Sequence, residues 1–465
     1  MQTRSFFHSF IVDLDALLPG GLKRFADSIV AKDDQRNVVN FGKFLSVATQ
    51  LGLLVLVIRE FQIADLVFYH HIMALTFIGF LVHHFLPVQY RLPFFLLLSL
   101  VGIWFVFGFP NAIWLVTIGL VLIGVCHLPL SLLWRVAILL SLGAGLAVLR
   151  TNLVSAPWPE EVWPILGSMF MFRLIIYLYD LKHQQGPANI TFTLAYFFLL
   201  PNVVFPLFPV VDYATFRRTY YDKDRYRIYQ TGIRWIFRGV IQLILYRYVN
   251  FYLVIAPGNV NTIGDLVRYL VSNFLLYLQV SGQFHLIVGI LHLFGFSLPE
   301  TNHRYLLSSS FTDFWRRINI YWKDFMMKVF YYPTYFRVRK KGTTAALVVA
   351  TLVVFAVTWF LHAYQWFWLR GTFLLSTVDI LFWTILATLV LANALYEARH
   401  GRQRTLGKRS WTFSSITGVA LRTAGTFIVI CVLWSLWTST SLEEWFSLWS
   451  AAISAAGNVA AAGIR

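Results

Sequence analysis

Long apolar runs, repeated from one end of the chain to the other, decide what it can become. They lie at about 44–59, 63–86, 93–108, 110–127, 131–149, 162–181, 190–211, 233–256, 264–281, 283–298, 342–368, 372–397 and 412–438. A helix standing upright in a bilayer needs roughly 20 apolar residues, so the shorter runs call for tilts or breaks. Hydrophobic residues make up 58% of the 465 positions and charged residues 13%. A soluble domain carries about 25% charged residues. The expected fold class is therefore all-α, a polytopic membrane protein with about 11–13 transmembrane helices.

Charge sets the expected orientation. Lys and Arg number 38 against 21 Asp and Glu. The excess sits in short links: Arg217, Arg218, Lys223, Arg225 and Arg227; Arg337 to Lys341; and Arg399, Arg402, Arg404, Lys408 and Arg409. The positive-inside rule puts all three at the cytoplasmic face. Charge spread over short linkers, with no folded basic domain, speaks against nucleic acid as a partner. Cys126 and Cys431 fall inside apolar runs and suit small core residues, with no disulfide framework or CxxC motif.

At the N-terminus no signal peptide is expected, because the basic residues follow the apolar ones and no long h-region exists. Phe7, Phe10, Ile11, Leu14, Leu17 and Leu18 instead recur at helical spacing. This divides the chain into a cytoplasmic amphipathic helix and basic loop (1–43), N-terminal spans (44–160), a transmembrane core (161–440) and a C-terminal interfacial helix (441–465). In the last, Ser441 and Glu444 have capping-box spacing ahead of Trp445, Leu448, Trp449 and Ile453. Pro201, Pro206 and Pro209 exclude one straight helix through that stretch.

His70-His71 and His83-His84 raise the question of a metal centre. Di-iron chemistry needs HxxxH and HxxHH clusters, which the sequence lacks, so no metal ligands are assigned. These histidines read as helix-end or interhelical hydrogen-bonding groups.

One stretch is too polar to cross a bilayer yet lies between spans: Ser308 to Gly342. At 100° per residue Phe311, Trp315, Ile318, Trp322 and Val329 make one apolar stripe, with Arg316, Arg317, Lys323 and Lys328 opposite. Asn319 falls on the border. Ser310 with Asp313 approximates a capping box, and Pro333 ends or bends the helix. On pattern alone an interfacial helix is an equal reading.

The wording of this stretch, Phe311-Thr312-Asp313-Phe314-Trp315-Arg316-Arg317 and then Asn319, resembles the signature helix of the membrane-bound O-acyltransferase (MBOAT) family. The resemblance continues through Ser281-Gly282, Gly289 and Leu293 to Glu300 upstream. Downstream it takes in Thr358-Trp359-Phe360-Leu361-His362, where the family places an intramembrane histidine. It covers about Tyr277 to Trp366, with a looser match back to Leu200.

The resemblance implies an MBOAT-like core with interfacial and re-entrant helices, and transfer of an acyl group from a thioester, acyl-CoA as co-substrate, to a hydroxyl. No cofactor is implied. That reaction needs a base for the hydroxyl proton and a donor for oxygen charge at the carbonyl. His362 suits the first and the Asn319 amide the second. Thr358, Trp359, Gln365 and Trp366 share the His362 face at i±3 and i±4. Arg316 and Arg317 are the expected phosphate forks for the donor, beside Trp315. The chain departs from the glycan-modifying branch at Asn319, where many of those relatives carry histidine, and at His285, where they often carry aspartate. His285 is thus an expected acceptor-side or relay residue. The expected acceptor is a hydroxyl of a cell-surface or lipid-linked glycan, and a lipid or hydrophobic small molecule is the alternative. Membrane lipids and an accessory transfer protein complete the expected partners, and a bacterial inner membrane the expected location. A transporter or flippase without enzymatic activity is the rival class, since broken helices and intramembrane polar groups suit it too.

Overall fold

The computed structural model describes residues 40–63, 71–167, 172–183, 189–200, 210–373, 375–400 and 413–462. It is 83% helical, and no strand occurs among the described residues. In chain order the helices are α1 (Phe41–Glu60), α2 (Met73–Phe85), α3 (Val88–Cys126), α4 (Leu132–Arg150), α5 (Phe172–His183) and α6 (Ile190–Phe197). Then come α7 (Tyr213–Arg218), α8 (Arg225–Tyr248), α9 (Ile263–Leu275), α10 (Leu278–Leu293), α11 (Phe311–Arg317) and α12 (Ile320–Met326). The chain closes with α13 (Tyr332–Val338), α14 (Thr343–Arg370), α15 (Thr377–His400), α16 (Phe413–Thr438) and α17 (Leu442–Ala462). Eight helical stretches among the described residues are long and apolar enough to cross a membrane. The chain is a polytopic, all-α membrane protein.

Several expected runs resolve into broken rods. At 1.5 Å per residue α3 would be about 58 Å long, nearly twice the roughly 30 Å hydrocarbon core. It is divided at Gly108, whose φ of 72° and ψ of 165° are not helical, two residues before Pro110. That is where the two separate runs 93–108 and 110–127 were expected to meet. The expected division at residue 282 moves instead to Leu276 and Tyr277, between α9 and α10. The N-terminal amphipathic helix, His70, the Pro201–Pro209 stretch and the basic link 401–412 lie outside the described residues. Cys126 and Cys431 are both buried and unpaired, as small core residues should be.

The most extensive helix pairing joins α8 and α10. Glycines spaced by seven on each helix make it: Gly232 and Gly239 face Gly289 and Gly282. A methyl group on Gly239 would lie 2.7 Å from the Gly282 carbonyl oxygen, and one on Gly289 2.8 Å from that of Gly232. Small residues let membrane helices approach to backbone contact, where packing and not the hydrophobic effect holds them. Gly239→Leu is expected to force the pair apart, at about 1–3 kcal/mol or more. Its readout is the yield of monodisperse protein in detergent and the melting temperature, with Ile244→Leu on the exposed side of α8 as control.

The stretch after Ser310 is not the single helix its stripe suggested. Ser310 caps α11 by accepting from Asp313 N, and Asp313 in turn accepts from Ser309 N, so the capping-box reading holds one residue displaced. Helix α11 ends after seven residues. Ile318 is extended (φ −85°, ψ 134°) and Asn319 is left-handed (φ 39°, ψ 64°). A second helix, α12, starts there, with the Asn319 side chain accepting from Trp322 N at 3.2 Å. Asparagine is among the few residues that tolerate this backbone and is also a favoured N-cap. Pro333 does not end the helix: a π turn over Met327–Tyr331 leads into α13 at Tyr332, and helical backbone runs on to Lys341. At the far end, Ser441 caps α17 by accepting from Glu444 N. That helix packs on the core through Leu448 and Ala452, while Ile453 faces outward.

Candidate functional site

The break at Asn319 opens onto a cavity of about 100 Å³ between α11, α12, α14, α15 and α16. Asn319, Lys323, Thr358, His362 and Tyr277 supply its polar lining, and Trp315, Trp322, Trp383, Trp434 and Trp437 most of its wall. Two stretches singled out separately in the sequence, the signature helix and the intramembrane histidine, thus face one space.

His362 is held by its own helix. Nδ1 lies 2.8 Å from the Thr358 carbonyl oxygen. A carbonyl only accepts, so Nδ1 carries the hydrogen and Nε2 of the neutral ring keeps its lone pair. Three indoles enclose the ring: Trp383 at 4.9 Å between centroids, Trp322 at 5.0 Å and Trp437 at 6.3 Å. Trp322 is itself fixed by Nε1 donating to Thr358 Oγ1, and Trp437 by Nε1 donating to Asp379 Oδ1 at 2.7 Å. Ser376 donates to the other oxygen of Asp379. The histidine therefore has one nitrogen engaged, the other without a hydrogen-bond partner among the described residues, and walls pinned by hydrogen bonds.

Asn319 is oriented by the same kind of argument. Trp322 N–H can only donate, so the side-chain atom it meets is Oδ1 and the amide NH₂ is the other end. The NH₂ has no partner among the described residues. Of two residues lining the pocket, one thus carries a neutral double donor and the other an acceptor lone pair.

The remaining expected site residues are distributed differently. Trp315 lines the pocket and packs on Phe355. Trp359 and Gln365 do not line it; Trp359 packs into the cluster around Phe355 and Phe382. Arg316 and Arg317 do not line it either. Arg316 Nη2 meets Glu397 Oε2 on α15 at 2.9 Å, and Arg317 Nε meets Asp313 Oδ1 at 2.9 Å. Thr312 Oγ1 also donates to Glu397, and Asn393 caps Phe311 N. In this structure their charges fasten α11 to α15 and to itself. Lys323, one turn beyond Asn319, is the cation that does reach the pocket, with Asp324 beside its Nζ at 2.6 Å.

Arg316→Gln is accordingly expected to lower the melting temperature, and adding Glu397→Gln to restore part of the loss, with no change in the concentration dependence on an acyl donor. A donor KM that stays raised in the stable double variant would return Arg316 to the donor site.

His285 stands apart on α10, fully buried. Its Nδ1 is 2.7 Å from both the Ser281 carbonyl oxygen and Gln242 Oε1, its ring stacks on Trp235, and Nε2 has no partner among the described residues. His83 and His84 are also buried, stacked against aromatic rings. No group of three or more His, Cys, Asp and Glu side chains placed to hold a metal occurs among the described residues.

Lys323, Tyr277, Phe382, Trp383, Trp434 and Trp437 were not singled out from the sequence as site residues. The Trp434/Trp437 pair at i, i+3 on an otherwise aliphatic span was the available signal.

These features define a multi-pass, all-helical membrane protein with an aromatic-walled polar pocket enclosed by its helices. Comparison with family models finds no match, and comparison with curated proteins finds none either.

Proposed function

We propose that the chain is a membrane-embedded O-acyltransferase of the MBOAT type, with His362 as general base and the Asn319 amide as oxyanion donor. The observation that carries this reading is their meeting in one pocket, the histidine with Nε2 free and the asparagine with NH₂ free. In the reaction, an acceptor hydroxyl oxygen attacks the thioester carbonyl carbon while Nε2 takes the hydroxyl proton. Negative charge on the carbonyl oxygen is met by the Asn319 NH₂. The C–S bond then breaks, and the departing thiolate takes the proton back from Nε2. Histidine returns to its starting form, and no covalent acyl-enzyme is needed.

The donor is an acyl thioester, acyl-CoA by preference, entering from the cytoplasmic side. The acceptor is a hydroxyl on a cell-surface or lipid-linked glycan, in a bacterial inner membrane. The indole walls favour this acceptor, since the C–H faces of sugars lie well on aromatic rings. A polar pocket at a helix break also suits a transporter. The test is release of free thiol from acyl-CoA by purified protein, with and without membrane glycans, and mass spectrometry of the acylated product. Acceptor-dependent thiol release supports the acyltransferase; glycan movement across vesicles without thiol release supports the transporter.

A further inference from the structure

The left-handed turn at Asn319 is held from outside its own helix. Three consecutive residues upstream run beside it: Ile320 N donates to the Thr301 carbonyl at 2.8 Å, Asn319 N to Asn302 Oδ1 at 2.8 Å, and His303 N to the Arg317 carbonyl at 2.9 Å. Two of these bonds are backbone to backbone. The central one uses a side chain, and that side chain is fully buried. The same Asn302 Oδ1 also accepts from the hydroxyl of Tyr277, at 3.3 Å, and Tyr277 lines the pocket. Asn302 itself is anchored on the opposite side, where Arg238 reaches its carbonyl oxygen while bonding Glu300 at 2.7 Å.

We propose that Asn302 is a positioning residue whose single side-chain oxygen sets both the Asn319 turn and the Tyr277 hydroxyl at the pocket. As an N-cap, Asn319 accepts from Lys323 N and Trp322 N of its own helix, but its N–H has no intrahelical partner, so the direction of the turn before it depends on what that N–H meets. Without the Asn302 oxygen, that N–H is unsatisfied inside the protein, and the cheapest repair is to rotate the turn. Rotation swings the Asn319 amide away from the pocket. Tyr277 loses its acceptor in the same step. The inference rests on the acyl-transfer reading for its kinetic arm only, because the hydrogen bonds can be followed without turnover.

The experiment compares the parent with Asn302→Leu, Asn302→Asp, Tyr277→Phe and the double variant Asn302→Leu/Asn319→Asp. Asn302→Leu keeps the branching at the γ carbon, in a somewhat larger side chain, and removes the oxygen; Asn302→Asp keeps an acceptor for both donors. Amide hydrogen exchange over residues 317–322 is expected to quicken in Asn302→Leu and to return towards the parent in Asn302→Asp. With a turning-over parent, Asn302→Leu is expected to lower kcat by about 10²-fold, the scale of a small misplacement, with donor KM little changed. The double variant is expected to lose far less than the product of the two single losses, because Asn302 acts in large part through Asn319. Unchanged exchange in Asn302→Leu, or losses that multiply in the double variant, would overturn the proposal. Should the leucine variant not fold, Asn302→Ala takes its place: parental exchange over residues 317–322 in that variant counts against the proposal. Absence of thiol release by the parent would sink the acyltransferase reading, and exchange alone would then judge Asn302.

Discussion

Replacing His362 by alanine is expected to lower acyl transfer by about 10²–10⁴-fold, the range for loss of a general base, while the protein still inserts and folds. The expectation of intact folding comes from what His362 does for the fold, which is little. Its one hydrogen bond goes to the Thr358 carbonyl of its own helix, and its ring contacts are to indoles that are fixed elsewhere, Trp322 by Thr358 and Trp437 by Asp379. The pocket would enlarge by an imidazole, losing ring packing against Trp322, Trp383 and Trp437 but no hydrogen bond between helices. His362→Gln is the sharper companion, since it retains bulk and hydrogen-bonding capacity but cannot take a proton near neutral pH. Both variants should bind donor with near-parental KM and fail at kcat. The measurement is a single-turnover rate of thiol release at saturating donor. Full turnover by either variant would remove His362 from the base role.

The parts of this protein that the bilayer dictates were readable from residues alone. Apolar runs separated by basic links admit few folds when every backbone group must pair inside lipid. The break at Gly108, two residues before Pro110, and the capping of α11 by Ser310 and of α17 by Ser441, depend on local chemistry and so left local marks. His362 stood out for a similar reason, because an ionisable residue on a polar and aromatic strip of an otherwise aliphatic helix is conspicuous.

What stayed hidden depends on residues far away in sequence. The stripe Phe311, Trp315, Ile318, Trp322 continues in helical register straight across the break, so periodicity could not reveal it. The turn is stitched by Thr301, Asn302 and His303, and no pattern within Ser308–Gly342 encodes those bonds. Arg316 looked like a phosphate ligand for the same reason. Its partner, Glu397, lies on another span, and sequence spacing does not show who faces whom. Lys323 shared a helical face with Arg316 in a continuous helix; after the break it points to the pocket instead.

Asn319→Asp is expected to lower kcat by about 10²–10³-fold, or 2.7–4 kcal/mol, the cost of one oxyanion donor, and to leave the melting temperature unchanged or raised. The substitution is chosen because the break makes alanine ambiguous. Alanine at φ 39° adds left-handed strain of about 1–2 kcal/mol and removes an N-cap worth about 0.5–2 kcal/mol. A rate loss in Asn319→Ala therefore mixes chemistry with a disturbed turn. Aspartate tolerates the left-handed backbone and can still accept from Trp322 N. It also places negative charge at the start of α12, where the helix dipole favours it. Only the NH₂ is lost, replaced by an oxygen that repels developing oxygen charge. Stability and rate should then move in different directions, which a purely structural asparagine would not produce. Asn319→His keeps a donor and is expected to recover part of the rate lost by aspartate. The series is read as single-turnover rates at saturating donor beside melting temperatures. An aspartate variant as fast as the parent would end the hydrogen-bond-donor role for Asn319.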